Sequence, residues 1–78
     1  MQEQKIKQDA IQIGCNIRRV RKNAGVGQTE LVRILKLNGV DMTRETLVKI
    51  ERGIQHIQAT QLRAIRDALN TTYDELLK

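Results

Sequence analysis

Seventy-eight residues with 40% apolar and 29% charged content support one modest core, leave no room among them for a second domain, and exclude intrinsic disorder. Phe, Trp and Pro are absent and Tyr73 is the single aromatic residue, so the core is expected to be Ile, Leu, Val and Ala packed between helices, with no sheet. The net charge of +5 lies wholly in residues 16–52, where nine Lys and Arg stand against four Asp and Glu, a concentration suited to a polyanionic partner or else to a solvated, solubilising face.

Met1–Gln8 is polar apart from Ile6 and reads as a flexible arm over residues 1–8, ahead of a folded unit over 9–78. From about Asp9, Ile13, Ile17, Val20 and Ala24 recur every three or four residues on one helical face, and Gly25 ends that first helix. Gly27 is the N-cap of a second helix, with Glu30 favouring its positive end and Leu31, Ile34 and Leu35 inward. Asn38-Gly39 stops it, because both residues tolerate the left-handed backbone that ends helices. Thr43 caps a short third helix over about 44–52, with Leu47 and Ile50 inward, Glu45 in the first turn and Gly53 just past the end. Ile54–Ala59 has no period and reads as a loop. Thr60 then caps a fourth helix presenting Leu62, Ile65, Ala68 and Leu69. Thr72-Tyr73-Asp74-Glu75 fits a capping box before Leu76 and Leu77 and opens a fifth.

Cys15 stands alone, so no internal disulfide forms, and it reads as a small packing residue. His56 has no second Cys or His to complete a zinc site, and no metal is expected. No apolar run exceeds two residues, which leaves no membrane span and no signal peptide and fits a cytoplasmic protein. With one His, one Cys and no Gly-rich phosphate loop, nothing suggests an enzyme, a cofactor or a small-molecule substrate.

Short helices alone do not name a function. The strings Ile17-Arg18-Arg19-Val20-Arg21, Gly25-Val26-Gly27-Gln28-Thr29-Glu30-Leu31, Thr43-Arg44-Glu45-Thr46-Leu47 and Ile50-Glu51-Arg52-Gly53 follow one another in this order. Together with the closing segment Leu69-Asn70-Thr71-Thr72-Tyr73-Asp74-Glu75-Leu76-Leu77, they resemble the phage-repressor and Cro-like helix-turn-helix family, of the xenobiotic-response-element type, over roughly residues 11–77. The resemblance implies an all-α, compact five-helix bundle of the lambda-repressor-like kind. It implies sequence-specific binding of double-stranded DNA by a homodimeric transcriptional repressor whose second and third helices form the reading motif, the third entering the major groove.

The residues fit that implication chemically. Arg44, in the first turn of the third helix, opposes the helix dipole by a few tenths to about 1 kcal/mol, so a partner explains it better than stability does. Arginine binds guanine O6 and N7 as a bidentate pair. Glu45 either accepts from cytosine N4 or simply satisfies the dipole, and Lys49 either pairs with Glu45 four residues earlier or reaches a base or phosphate. By the resemblance, Gln28 and Thr43 hold the DNA backbone from the starts of the second and third helices, a role compatible with plain capping. Thr46, Arg52, Gln55 and His56 match further backbone contacts, Arg52 being favoured also by the dipole at a helix C-terminus. Arg21 and Glu51 are implied to be an ion pair tying the first helix to the third. The chain departs from the family pattern in a longer run from Leu31 to Thr43, in Gly27 where a hydroxyl cap is usual, and in lacking Pro after the third helix. The alternative expectation is a protein-interaction or antitoxin-like module that uses the last two helices and has lost DNA reading.

Overall fold

Each apolar stripe in this chain is too narrow to bury itself, and the fold is the packing that turns all of them toward one centre. A computed structural model of the protein describes strand Lys5–Ile6 and residues 12–78. The elements in chain order are β1 (Lys5–Ile6), α1 (Ile13–Asn23), α2 (Gln28–Leu37), α3 (Arg44–Glu51), β2 (Ile57–Gln58), α4 (Ala59–Ala68) and α5 (Tyr73–Leu76). The rest of the expected arm over residues 1–8, and the expected start of the first helix at Asp9, lie outside the described residues.

Helix α3 packs against both α1 and α2, while α5 closes on α1 and α4 on α2. Ile13, Ile17, Leu31, Leu35, Leu47, Ile50, Ile57, Ile65 and Leu76 are fully buried between them. The five helices expected from the periodicity are all present, and Thr43 and Thr72 cap α3 and α5 by accepting from the amides of Thr46 and Glu75. Asn16 Nδ2 donates to the carbonyls of Leu76 at 2.9 Å and Lys78 at 3.3 Å, fastening α5 to α1. Arg19 reinforces this by donating to the Glu75 carboxylate at 3.3 Å and its carbonyl at 3.0 Å. Hydrogen bonds from Lys78 and Arg19 hold the Glu75 carboxyl below its ordinary pKa.

Several expectations are corrected. A sheet is present: β1 pairs antiparallel with β2, Lys5 opposite Gln58 and Ile6 opposite Ile57. Ile57 is a lone apolar residue in an aperiodic stretch, and extended backbone is what sends its side chain into the core while leaving an edge for β1 to pair. Helix α4 starts at Ala59 with Gln58 as N-cap, two residues before the expected Thr60 cap, because the Gln58 amide donates to Gln61 Oε1 at 2.8 Å. Ala24 is exposed where α1 ends, and Cys15 is exposed instead of packed, since it points away from the Ile13–Ile17 stripe. Met42, in the connection before α3, is buried and joins the core.

Gly14 lies under the last turn of α3, where an added Cβ would run into the carbonyl oxygen of Ile50 and stand 2.9 Å from that of Glu51. Only a residue without a side chain lets α1 meet the α3 backbone there. Gly14→Ala should therefore lower stability by about 1–3 kcal/mol through overpacking, against the roughly 0.5–1 kcal/mol gain that Ala brings in an open helix. Thermal unfolding reads the sign, and a melting temperature at or above that of the parent would show that the two helices are not in backbone contact.

Candidate nucleic-acid interface

With Leu47, Ile50 and Glu51 turned inward, α3 has only one side left for its remaining residues. Arg44, Glu45, Val48, Lys49 and Arg52 share it, lining one hollow together with Ile54. Thr43 and Thr46 stand at the head of the helix, where the Thr43 hydroxyl accepts from the Thr46 amide at 3.1 Å and donates to the Thr46 hydroxyl at 3.0 Å. A second hollow is lined by Arg18 and Lys22, one turn apart on α1, by Gln28 at the start of α2, and by Val48 and Arg52. Since Val48 and Arg52 border both, the two hollows are continuous across one side of the molecule.

Five cations thus share that side: Arg18, Lys22, Arg44, Lys49 and Arg52. All are exposed, and among the described residues none takes part in an ion pair. In particular Glu45 and Lys49 do not pair, so that possibility is not realised. Arg19, Arg21, Arg66 and Lys78 differ, each having an internal carboxylate partner.

Beneath this face lies the expected bridge between α1 and α3. Arg21 Nε reaches Glu51 Oε2 at 2.7 Å and Nη2 reaches Oε1 at 2.9 Å, with the two side chains only 8% and 2% exposed. The hydrogen bonds to Glu51 raise the Arg21 pKa above its ordinary value. Arg21 Nη1 also donates to the Val26 carbonyl at 2.9 Å, and Gln28 Nε2 donates to Glu51 Oε1 at 3.1 Å. One carboxylate therefore gathers α1, the turn after it, the start of α2 and the last turn of α3. Gln28, expected to face the DNA backbone, is half-buried and anchored by this bond, with its second amide hydrogen still to place.

The structure thus brings Gln28, Arg44, Glu45, Lys49 and Arg52 to one side, with Thr43 and Thr46 at the top of α3. Gln55 and His56 stand apart: they line a separate hollow with Gln58 and Gln61 that meets the first only at Ile54. Arg18, Lys22 and Val48 were not among the expected contacts. The signal for the cations was their four-residue spacing off the apolar stripe of the first helix. Among the described residues no group of His, Cys, Asp and Glu could hold a metal ion, and no helix is long and apolar enough to cross a membrane.

A family model described as helix-turn-helix matches residues 17–76. Neither the curated proteins nor the solved structures yield a match.

Removing one member of a buried, hydrogen-bonded pair strands the other charge, so Arg21→Ala or Glu51→Ala should each cost about 3–5 kcal/mol in urea unfolding. The double replacement Arg21→Met with Glu51→Leu should recover most of that loss. Single variants as stable as the parent would show that the pair does not hold the helices together.

Proposed function

The chain belongs to the Cro/C1-type helix-turn-helix family of DNA-binding regulators, and from that premise we propose that it is a cytoplasmic repressor that binds a pseudo-palindromic site as a homodimer. Helix α3 enters the major groove. Arg44 reads a guanine, Glu45 accepts from a cytosine amino group, and Lys49 reaches a neighbouring base edge. Gln28, Thr43, Thr46 and Arg52 hold phosphates on either side, joined by Arg18 and Lys22, with Gln55 and His56 at the outer margin. Gln28 offers its second amide hydrogen to a phosphate while the first stays on Glu51. Thr46, whose oxygen already accepts from Thr43, has its own proton to donate.

The observation that carries this reading is the set of five cations on one side of the molecule that have no carboxylate partner among the described residues. Like charges so close repel one another, and a row of phosphates relieves that repulsion while releasing its own counterions. The surface of α4 and α5, which an interaction module would use, has less to offer: Arg66 pairs with Asp67 at 2.8 Å and lies 4.4 Å over the Tyr73 ring. No enzymatic role is proposed.

A duplex selected from a random pool provides the test. If each protomer neutralises three to five phosphates, raising salt from about 50 to 200 mM should weaken binding by about 40- to 500-fold per half-site. Arg44→Ala and Lys49→Ala should each weaken it further, Arg44→Ala by about 5- to 150-fold, with melting temperatures unchanged. Salt-independent affinity, or variants that bind as the parent does, would contradict the reading.

A further inference from the structure

Between α3 and α4 the chain contains no proline, so no ring fixes a backbone angle along its course. It is fastened near its two ends. The Ile54 amide donates to the Lys49 carbonyl at 3.0 Å, and the Gln58 amide donates to Gln61 Oε1 at 2.8 Å, with Ile57 buried in the core beside it. Gln55 and His56 stand between these points, the first half-buried and the second exposed, and both line a hollow with Ile54, Gln58 and Gln61.

Strand β1 lies along the end of this stretch. Lys5 is opposite Gln58 and Ile6 opposite Ile57, with His56 and Gln55 next in line, and among the described elements β2 is the chief neighbour of β1. Hydrogen-bonded pairs alternate along an antiparallel ladder. Since the Gln58 amide is committed to Gln61, the bonded pair is Ile6 with Ile57. Extended backbone sends the Ile57 side chain to the core and its neighbours the other way, and a slip of one residue would reverse them all. A ladder of two residues is too short to add much stability, but it selects one backbone course for a segment that could take several.

We propose that β1 is a positioning strand for the α3–α4 connection: by pairing with β2 it holds Gln55 and His56 in the course in which both reach the DNA backbone. The inference rests on the DNA-binding reading above, which puts these two residues at the outer margin of the duplex. An exposed connection gains little from being held in one course unless something docks on it. A duplex that meets the connection already ordered does not bear the cost of ordering it. The strand acts through its backbone, so the charge of Lys5 is not what matters.

Ile6→Pro removes the amide that pairs with Ile57, whereas Lys5→Gln keeps the ladder and loses only a charge. In the parent, Gln55→Ala and His56→Ala should each weaken binding of the selected duplex by about 2- to 12-fold, the worth of one hydrogen bond. In Ile6→Pro the same two replacements should cost no more than about twofold, while Arg44→Ala keeps its full penalty; in Lys5→Gln all three penalties should stand as in the parent. Melting temperatures of Ile6→Pro and Lys5→Gln should stay close to that of the parent. Penalties at Gln55 and His56 that are absent in the parent, or undiminished in Ile6→Pro, or equally lost in Lys5→Gln, overturn the positioning role and leave the DNA-binding reading standing. So does an Ile6→Pro chain that fails to fold, which would make β1 part of the framework. Failure of the parent to bind any selected duplex removes that reading and the positioning role with it.

Discussion

A carboxylate taken out of water must be surrounded by donors, and the structure depends on how Glu51 meets that demand. Its two oxygens receive Arg21 from α1 and Gln28 from the start of α2, while Arg21 extends a further bond to the Val26 carbonyl in the turn between them. Three elements are thereby referred to one point on α3. The approach of α1 at Gly14 sets the distance, and the carboxylate sets the orientation. Because the side chains that face outward are carried on these same elements, the rigidity of the buried network passes to the surface, and Gln28 belongs to both.

The placement of charge follows from the same arrangement. Away from α3, Arg19 on α1 meets Glu75 and Arg66 on α4 meets Asp67. The cations around α3 find no carboxylate among the described residues, although Glu45 lies on the same side one turn before Lys49. The sum is one side on which cations outnumber carboxylates, with the N-terminal turn of α3 in their midst. An isolated domain gains nothing from such an arrangement, since it raises self-repulsion. A duplex with regularly spaced phosphates turns that repulsion into attraction.

Much of this was legible because helices announce themselves by period. The stripes of Ile13 and Ile17, of Leu31 and Leu35, and of Leu47 and Ile50 are in the core, and Thr43, Gly53 and Thr72 mark helix boundaries where their chemistry says they should. What escaped was whatever depends on a partner far along the chain. Ile57 is buried in a two-residue extended stretch that pairs with Lys5–Ile6, some fifty positions away, and no local pattern signals it. Gly14 looks like any helical glycine until α3 lies across it. The Gln58 cap is local, resting on Gln61 three residues on, and escaped because glutamine is not among the usual capping residues. Arg44 and Lys49 could be picked out by type and helix position. Val48 could not, since an apolar residue next to an inward Leu47 reads as core until the direction of the helix is known.

Amide chemical-shift mapping by NMR, as a selected duplex is added at low salt, tests most directly whether this basic side is the surface that meets DNA. Signals of Arg18, Lys22, Gln28 and the run from Thr43 to Ile54 should move together and saturate, while those of Arg63, Arg66 and Tyr73 stay in place. Changes centred on Arg66 and Tyr73 with the α3 signals undisturbed would contradict it.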